Sequence, residues 1–461
     1  MPIMGQRDTG RSINFQKPVE GRSLQTLLAS SEQMLKPVET VDLNMRAAEL
    51  HDNILEVLDL DKLHSTDEDE KRDLVEQAIR AYLTSSEAPE VGPQRDQLVG
   101  MVLDEILGFG PIQALLDDDS IQEVMVNAPD QVYVESEGVL RRTAVRFRDD
   151  MHIRRVAERI LSVIGRRVDE SSPMVDARLQ DGSRVNITVP PATPKHPSIT
   201  VRKFRQDRMS LDDLMAVGTM DQRMAEFLGA CTQHKFNILI SGGTGTGKTT
   251  LLNAISALIP RAERIVSIED PLELQLQQPH VVSMEARPPD MNGNHAITQR
   301  DMLRNTLRMR PDRIIVGEIR GSEAFEMLQA MNTGHEGSMS TVHSNTPRDA
   351  LSRVENMVLM AGFDLPVKAI REQVASALHV LVHLDRFSDG VRRVTKITEV
   401  TGMEGDNVTL QDLFLFEVKG RGDNGEVLGR FRPTGLRPTF SQELELRGHA
   451  LDAEMFLEGA I

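Results

Sequence analysis

Residues 242–249 read Gly242-Gly243-Thr244-Gly245-Thr246-Gly247-Lys248-Thr249, and no other run limits the fold as strongly. It matches G-x-x-x-x-G-K-[ST] in full. Phe236-Asn237-Ile238-Leu239-Ile240 precedes it as an apolar strand. Leu251, Leu252, Ile255, Leu258 and Ile259 follow at helical spacing until Pro260. Strand, glycine-rich loop and helix in that order predict a phosphate-binding unit within a parallel sheet. The glycines let successive backbone N–H groups turn inward around phosphate oxygens, and the helix N-terminus adds partial positive charge. In such a loop the lysine, here Lys248, reaches the β- and γ-phosphates of a nucleotide, and the hydroxyl of Thr249 ligates Mg²⁺. The candidate ATP-binding residues are therefore Gly242, Gly243, Thr244, Gly245, Thr246, Gly247, Lys248, Thr249 and Thr250.

Hydrolysis at such a loop also needs a carboxylate near Mg²⁺ and one to orient water. Arg313-Ile314-Ile315-Val316-Gly317-Glu318 is an apolar strand ending in an acid, with Gly-Glu where Asp-Glu is commoner. Ile265–Glu269 is a second such strand, followed by Asp270, Pro271 and Glu273. Strand C-terminal ends converge on the ligand crevice of a doubly wound sheet, so Glu269, Asp270 and Glu273 can face the γ-phosphate. Surface acids at strand ends are the plainer alternative. Thr333–Asn345 carries His335 and His343 among small and hydroxyl residues. Their spacing fits no metal motif and suits a polar strand end that senses phosphate. Arg300, Arg304 and Arg308 recur every four residues and share a helical face. That face suits either a neighbouring subunit or plain solvent.

Composition narrows the function classes. Fifty-three basic against 70 acidic residues leave a net charge of −17, and there is no Trp. Both features disfavour a nucleic-acid translocase, so no nucleic-acid partner is expected. The segment 296–313 lacks the Leu-Ser-Gly-Gly type of motif that marks solute-transporter ATPases. Cys231 is the only cysteine, which excludes an internal disulfide and a multi-cysteine zinc site. No apolar run approaches the roughly 18 residues of a membrane span. The expected location is cytoplasmic, with only peripheral membrane association through partners.

Along the chain, residues 1–44 read as a disordered polar tail and 45–107 as a small helical bundle. Residues 108–206 read as a mixed α+β domain. Its expected strands lie around 124–126, 132–134, 139–140, 144–147, 177–179, 185–189 and 198–201, with an amphipathic helix over 153–164. Residues 207–222 read as a polar linker with one short helix. Residues 223–461 read as an α/β ATPase domain with short β-like runs at 394–435.

These segments in this order resemble the type II/type IV secretion ATPase superfamily. The likeness rests on Gly242–Thr249, Ile268–Leu274, Ile314–Arg320 and Thr333–Asn345. Further likeness at Gly108–Pro111, Glu123–Asn127, Asp176–Asn186 and Leu307–Arg313 is to the CpaF subgroup, the motor ATPases of Tad/Flp-type pilus systems. The resemblance implies a RecA-like P-loop domain preceded by an α+β domain, acting as a homo-hexamer. Its implied partners are pilus platform proteins at the cytoplasmic face of the inner membrane. It implies ATP and Mg²⁺ as ligands, with Lys248, Glu273 and Glu318 catalytic and with Thr249 and Glu318 at the metal. Glu273 is the first choice to polarise water and Glu269 the second. His343 is the implied γ-phosphate sensor. Arg184 and Arg202 are the implied phosphate contacts from the N-terminal domain.

Lys248→Ala is expected to lower turnover by at least about 100-fold, because a charge-assisted contact to the transferring phosphate is lost. Steady-state hydrolysis of ATP by the folded variant checks this, and a near wild-type kcat excludes the phosphate-loop assignment.

Overall fold

The computed structural model describes residues 67–84, 94–136, 139–204, 208–287, 289, 294–423 and 425–458, and scattered positions from 43 to 58. The tail expected over residues 1–44 lies outside the described residues except for Leu43, which is helical and buried in an apolar cluster rather than part of a disordered tail. The chain divides into two compact units, 1–179 with 185–202, and 180–184 with 203–461.

The first unit opens with helices α1 (Glu68–Tyr82) and α2 (Arg95–Ile106). Val75 and Ile79 of α1 and Leu98, Val99, Val102 and Leu103 of α2 are buried in one cluster with Leu43, Ala47, Leu50 and Ile54. A short helix α3 (Gln113–Asp117) leads into a six-stranded sheet. Its strands are β1 (Ile121–Ala128), β2 (Gln131–Ser136), β3 (Val139–Arg142), β4 (Met174–Arg178), β5 (Arg184–Thr188) and β6 (Ser198–Arg202). They lie in the order β3-β2-β1-β6-β5-β4. Helix α4 (Asp150–Val163) is capped by Asp149, whose side chain accepts the His152 N–H. It turns Ile153, Val156, Ala157, Ile160 and Leu161 into the core that the sheet shares. One expected strand is absent: residues 144–147 form no ladder. Thr143 and Phe147 instead donate their N–H groups to Val132 and Pro129 of the β1–β2 hairpin, which straps the segment down as a loop.

The second unit is built on nine strands. They are β7 (Ile238–Gly242), β8 (Ile265–Glu269), β9 (Val281–Glu285), β10 (Arg313–Ile319), β11 (Met339–His343), β12 (Val380–Arg386), β13 (Arg392–Glu404), β14 (Asn407–Arg421) and β15 (Val427–Pro433). Their order is β15-β14-β13-β12-β7-β11-β10-β8-β9. From β12 to β9 every pair is parallel, whereas β13, β14 and β15 continue the sheet antiparallel. This α/β sheet with the phosphate loop on a central strand is the RecA-like arrangement expected. Strands β7, β8 and the first four residues of β10 are buried throughout, as parallel strands covered on both faces must be.

Helices α5 (Leu211–Ala216), α6 (Gln222–Gln233) and α7 (Lys248–Ser256) serve one core, which also contains Ile238 and Ile240. Helices α8 (Gln299–Thr306), α9 (Glu323–Asn332), α10 (Pro347–Met360) and α11 (Val367–Ala377) serve a second core, which contains Leu239. The alternation along β7 thus feeds both faces. The stretch 207–222, expected to be a polar linker with one short helix, carries α5 with a Ser210–Asp213 capping box. It places Leu214 and Met220 in the first of these cores. The short runs expected over 394–435 are instead strands of 13, 15 and 7 residues. Phe227 of α6 meets Phe414 of β14, Phe440 and Phe456, with ring centroids 5.6–6.2 Å apart. The C-terminal strands are thereby tied to the nucleotide-binding core.

Phe227→Ala is expected to destabilise the second unit by about 3–5 kcal/mol, because a fully buried ring is removed from a packed aromatic cluster. Chemical denaturation followed through that unit's transition measures the loss; a change below about 1 kcal/mol contradicts the cluster's role.

Candidate functional site: the phosphate loop and its acids

Strand β7 ends at Gly242, and the chain then turns tightly into α7. Gly247 caps the helix with φ +94°, a left-handed conformation that glycine adopts without strain. Lys248 Nζ donates to the Gly243 carbonyl at 2.7 Å, and Thr246 Oγ1 donates to the same oxygen at 3.0 Å. The lysine therefore lies folded across the loop. Thr250 follows in the first turn of α7 and is half-buried.

The neighbouring strand ends supply the acids. Glu269, at the end of β8, is 1% exposed. Its Oε2 accepts the backbone N–H groups of Glu273 and Leu274 at 2.6 and 2.7 Å. Burial pushes its pKa up, while these N–H groups act in the opposite direction. The double bond folds the 270–274 loop back, and Glu273 Oε2 accepts from the Thr249 hydroxyl at 3.3 Å. The segment Gln180–Arg184 groups with this unit, and Arg184 forms an ion pair with the other oxygen of Glu273. The two acids between which sequence left a choice therefore have different places: Glu269 is buried behind the loop, and Glu273 stands at the threonine.

Glu318 lies near the end of β10, where Arg320 pairs with its Oε2 through Nε and Nη2 at 2.9 and 2.7 Å. The uncommon Gly-Glu ending has a steric cause. A Cβ on residue 317 would stand 3.0 Å from Glu269 Cγ, tighter than nearly all real contacts, so the glycine makes room for the buried acid of the next strand. Thr341 of β11 donates to the Gly317 carbonyl at 2.7 Å, where the β10–β11 ladder shifts register.

His343 ends β11 level with Gly242 in the β7–β11 register. It therefore stands beside the first glycine of the loop. His335 does not. It lies ahead of β11, in the turn whose Ser338 N–H donates to Asn237 just before β7, at the end of the strands away from the loop. Arg202 belongs to the first unit, where it faces Glu123 across the β1–β6 pair at 3.6 Å. Arg300 pairs with Glu326 of α9 at 2.8 Å and Arg304 approaches the same oxygen at 3.9 Å. Arg308 lies beyond the end of α8 and donates to the Arg304 carbonyl. Of the basic stripe, Arg300 is thus directed at a neighbouring helix, while Arg304 and Arg308 stay exposed.

Three residues at the loop carried no recognised sequence signal. His383 of β12 is buried, and its Nδ1 is 2.8 Å from the hydroxyl of Ser241, which immediately precedes the loop. Arg386 and Arg392 flank the turn between β12 and β13 and reach the loop from the same unit. Only the β12–β7 pairing, a contact between segments about 140 residues apart, brings them there.

The donors present fit a magnesium nucleotide. Thr249 Oγ1, bonded to Glu273 Oε2, is a hard oxygen donor at the loop, and such donors suit Mg²⁺, which takes few protein ligands and keeps several waters that a carboxylate like Glu273 can meet.

Residues 105–409 match the sequence profile of a family described as Type II/IV secretion system protein. The chain belongs to that family. It is an ATPase of the family. A candidate conjugal transfer protein of Mycobacterium tuberculosis is 38% identical over 307 residues, 65% of this chain and 87% of that protein. The type IV secretion system protein VirB11 of Bartonella henselae is 33% identical over 344 residues, 66% of this chain and 94% of that one. Among solved structures, the VirB11 ATPase of Brucella suis in complex with sulphate is 30% identical. It covers 62% of this chain and 94% of its own, with a TM-score of 0.35. The pilus retraction motor PilT with bound ADP is 19% identical. It covers 65% and 80%, with a TM-score of 0.45.

Glu273→Gln is expected to lower kcat by about 100-fold or more while ADP still binds, since the amide cannot act as a base toward water. Single-turnover hydrolysis beside a binding titration checks this, and normal turnover in the variant clears Glu273 of the role.

Proposed function

We propose that this chain is the ATP-hydrolysing, homo-hexameric motor of a Tad/Flp-type pilus, working at the cytoplasmic face of the inner membrane against platform proteins. The observation that carries the reading is family membership across residues 105–409 combined with a full set of candidate residues: Lys248 and Thr249 at the start of α7, Glu273 after β8 and Glu318 near the end of β10. The Tad assignment is supported by the CpaF-like runs at Gly108–Pro111, Asp176–Asn186 and Leu307–Arg313.

In the proposed mechanism Gly242–Thr250 cradle the phosphates. Lys248 leaves the Gly243 carbonyl and pairs with the β- and γ-phosphates, a charge-assisted contact stronger than the one it gives up. Thr249 and Glu318 would hold Mg²⁺, which would supply positive charge to offset that of the phosphates. Glu273 polarises the attacking water, and Glu269 keeps the Glu273 backbone in place. His343, level with Gly242, senses the γ-phosphate. Arg184 and Arg202 add contacts to the phosphates. Because such contacts are made only with ATP bound, they shift the population toward an ATP-specific state.

A second reading is a type IV secretion ATPase, favoured by the likeness to VirB11 and to the conjugal transfer protein TrbB of Rhizobium radiobacter, 32% identical over 299 residues. Replacing the chromosomal copy with the Lys248→Ala form separates the two. The pilus reading expects loss of surface filaments by electron microscopy, with conjugation and protein export unchanged. Normal piliation with lost export or transfer supports the second reading and overturns the first. Imaging the purified protein with ATP is expected to show six-subunit rings, and a monomer at all nucleotide concentrations contradicts the motor assignment.

A further inference from the structure

The turn between β12 and β13 is held at several points. Asp389 accepts the Val391 N–H, both terminal nitrogens of Arg393 and the Val427 N–H at the start of β15. Arg393 and these N–H groups hold the Asp389 carboxyl well below the usual carboxylate range, so it is charged at any working pH. The Arg393 guanidinium lies over the rings of Phe387 and Phe416, 5.1 and 5.2 Å from their centroids. A turn tied in this way holds its mouth at a defined place. Arg386 and Arg392 pair across the ladder at that mouth.

The phosphate loop lies against it. Arg392 Nε donates to the Gly245 carbonyl at 2.8 Å, and its Cδ is 3.3 Å from where a Cβ on Gly247 would be. Arg386 Nη1 is 3.9 Å from the corresponding point on Gly245. A trans peptide is planar, with its C=O and the following N–H pointing in opposite directions. A guanidinium that fixes the Gly245 carbonyl on one side therefore fixes the Thr246 N–H on the other. A cation bound to the carbonyl also polarises the peptide and strengthens that N–H as a donor.

We propose that Arg392 is a positioning residue for nucleotide binding, acting through the Gly245–Thr246 peptide to aim a loop N–H at the phosphates. The inference rests on the loop being the ATP site. It makes the C-terminal hairpin, outside the phosphate loop and its acids, a part of the nucleotide site.

The test uses the full chain with Arg392→Ala, Arg392→Gln and Arg392→Lys, and follows ADP binding and ATP hydrolysis. Gln keeps much of the aliphatic stem, should the Ala variant fail to fold. The expected result for Ala or Gln is a roughly tenfold rise in both the ADP Kd and the ATP KM, with kcat at saturation within about threefold, and partial recovery in Lys, which still carries a charged donor. Unchanged Kd and KM overturn the inference. So does a fall in kcat at unchanged KM, which places Arg392 in the transition state instead. A Lys variant as weak as Ala also overturns it, since the donor is then irrelevant. Lys248→Ala measured alongside separates the two levels: full activity there removes the phosphate-loop reading itself. Inactivity of Lys248→Ala with an insensitive Arg392 removes only the present proposal.

Discussion

The arrangement of the candidate site depends on one carboxylate kept out of water. Taking an ionised acid into the interior is costly unless hydrogen bonds replace its solvation. Glu269 obtains two from the backbone N–H groups of Glu273 and Leu274, and in doing so bends the following loop back toward α7. Glu273 then meets the Thr249 hydroxyl with one oxygen and Arg184 with the other. The neighbouring strand adapts as well, since Gly317 leaves space where a side chain would press on Glu269 Cγ. A buried acid thus explains both the placement of a half-buried one and the absence of a side chain on the strand beside it.

Strand β7 carries the second constraint. It is flanked by β11 and β12, and the two registers put His343 and Leu384 level with Gly242. Ser241, one residue earlier, shares a hydrogen bond with His383, whose pKa is pushed down by burial so that the ring stays neutral near pH 7. The loop is therefore reached by side chains from strands on both sides. Those strands are fixed by two apolar cores that divide the side chains of β7 between them.

Much of this was legible in the sequence because it is local. Gly242–Thr249, the apolar run before it and the helical stripe after it sit within about two dozen residues, and the acid-tipped strands could be read one by one. Choosing between Glu269 and Glu273 could not be done that way. The two are four residues apart, and only backbone hydrogen bonds distinguish the buried acid from the one at Thr249. The strand expected over 144–147 failed for a related reason: its apolar residues suit a strand, but the N–H groups of Thr143 and Phe147 are taken by carbonyls of the β1–β2 hairpin. Arg300 and Arg304 read as a free basic face because Glu326, their partner, is more than 20 residues away on another helix. The short helix of 207–222 was legible, but its many polar residues hid that Leu214 and Met220 are buried in the core of the second unit.

The family-wide match stops at residue 409, three residues into β14, whereas the sheet runs on unbroken to Pro433. The shared family segment and the folded object therefore end in different places. Shortened at the family boundary, the sheet would present β13 with its ladder of N–H and C=O groups unsatisfied along most of one side, a template onto which strands of other molecules add. The same cut would remove Phe414 and the later rings from around Phe227. The last two strands, β14 and β15, serve as a cover that keeps an otherwise adhesive sheet margin closed, and a chain lacking them would be expected to self-associate without order.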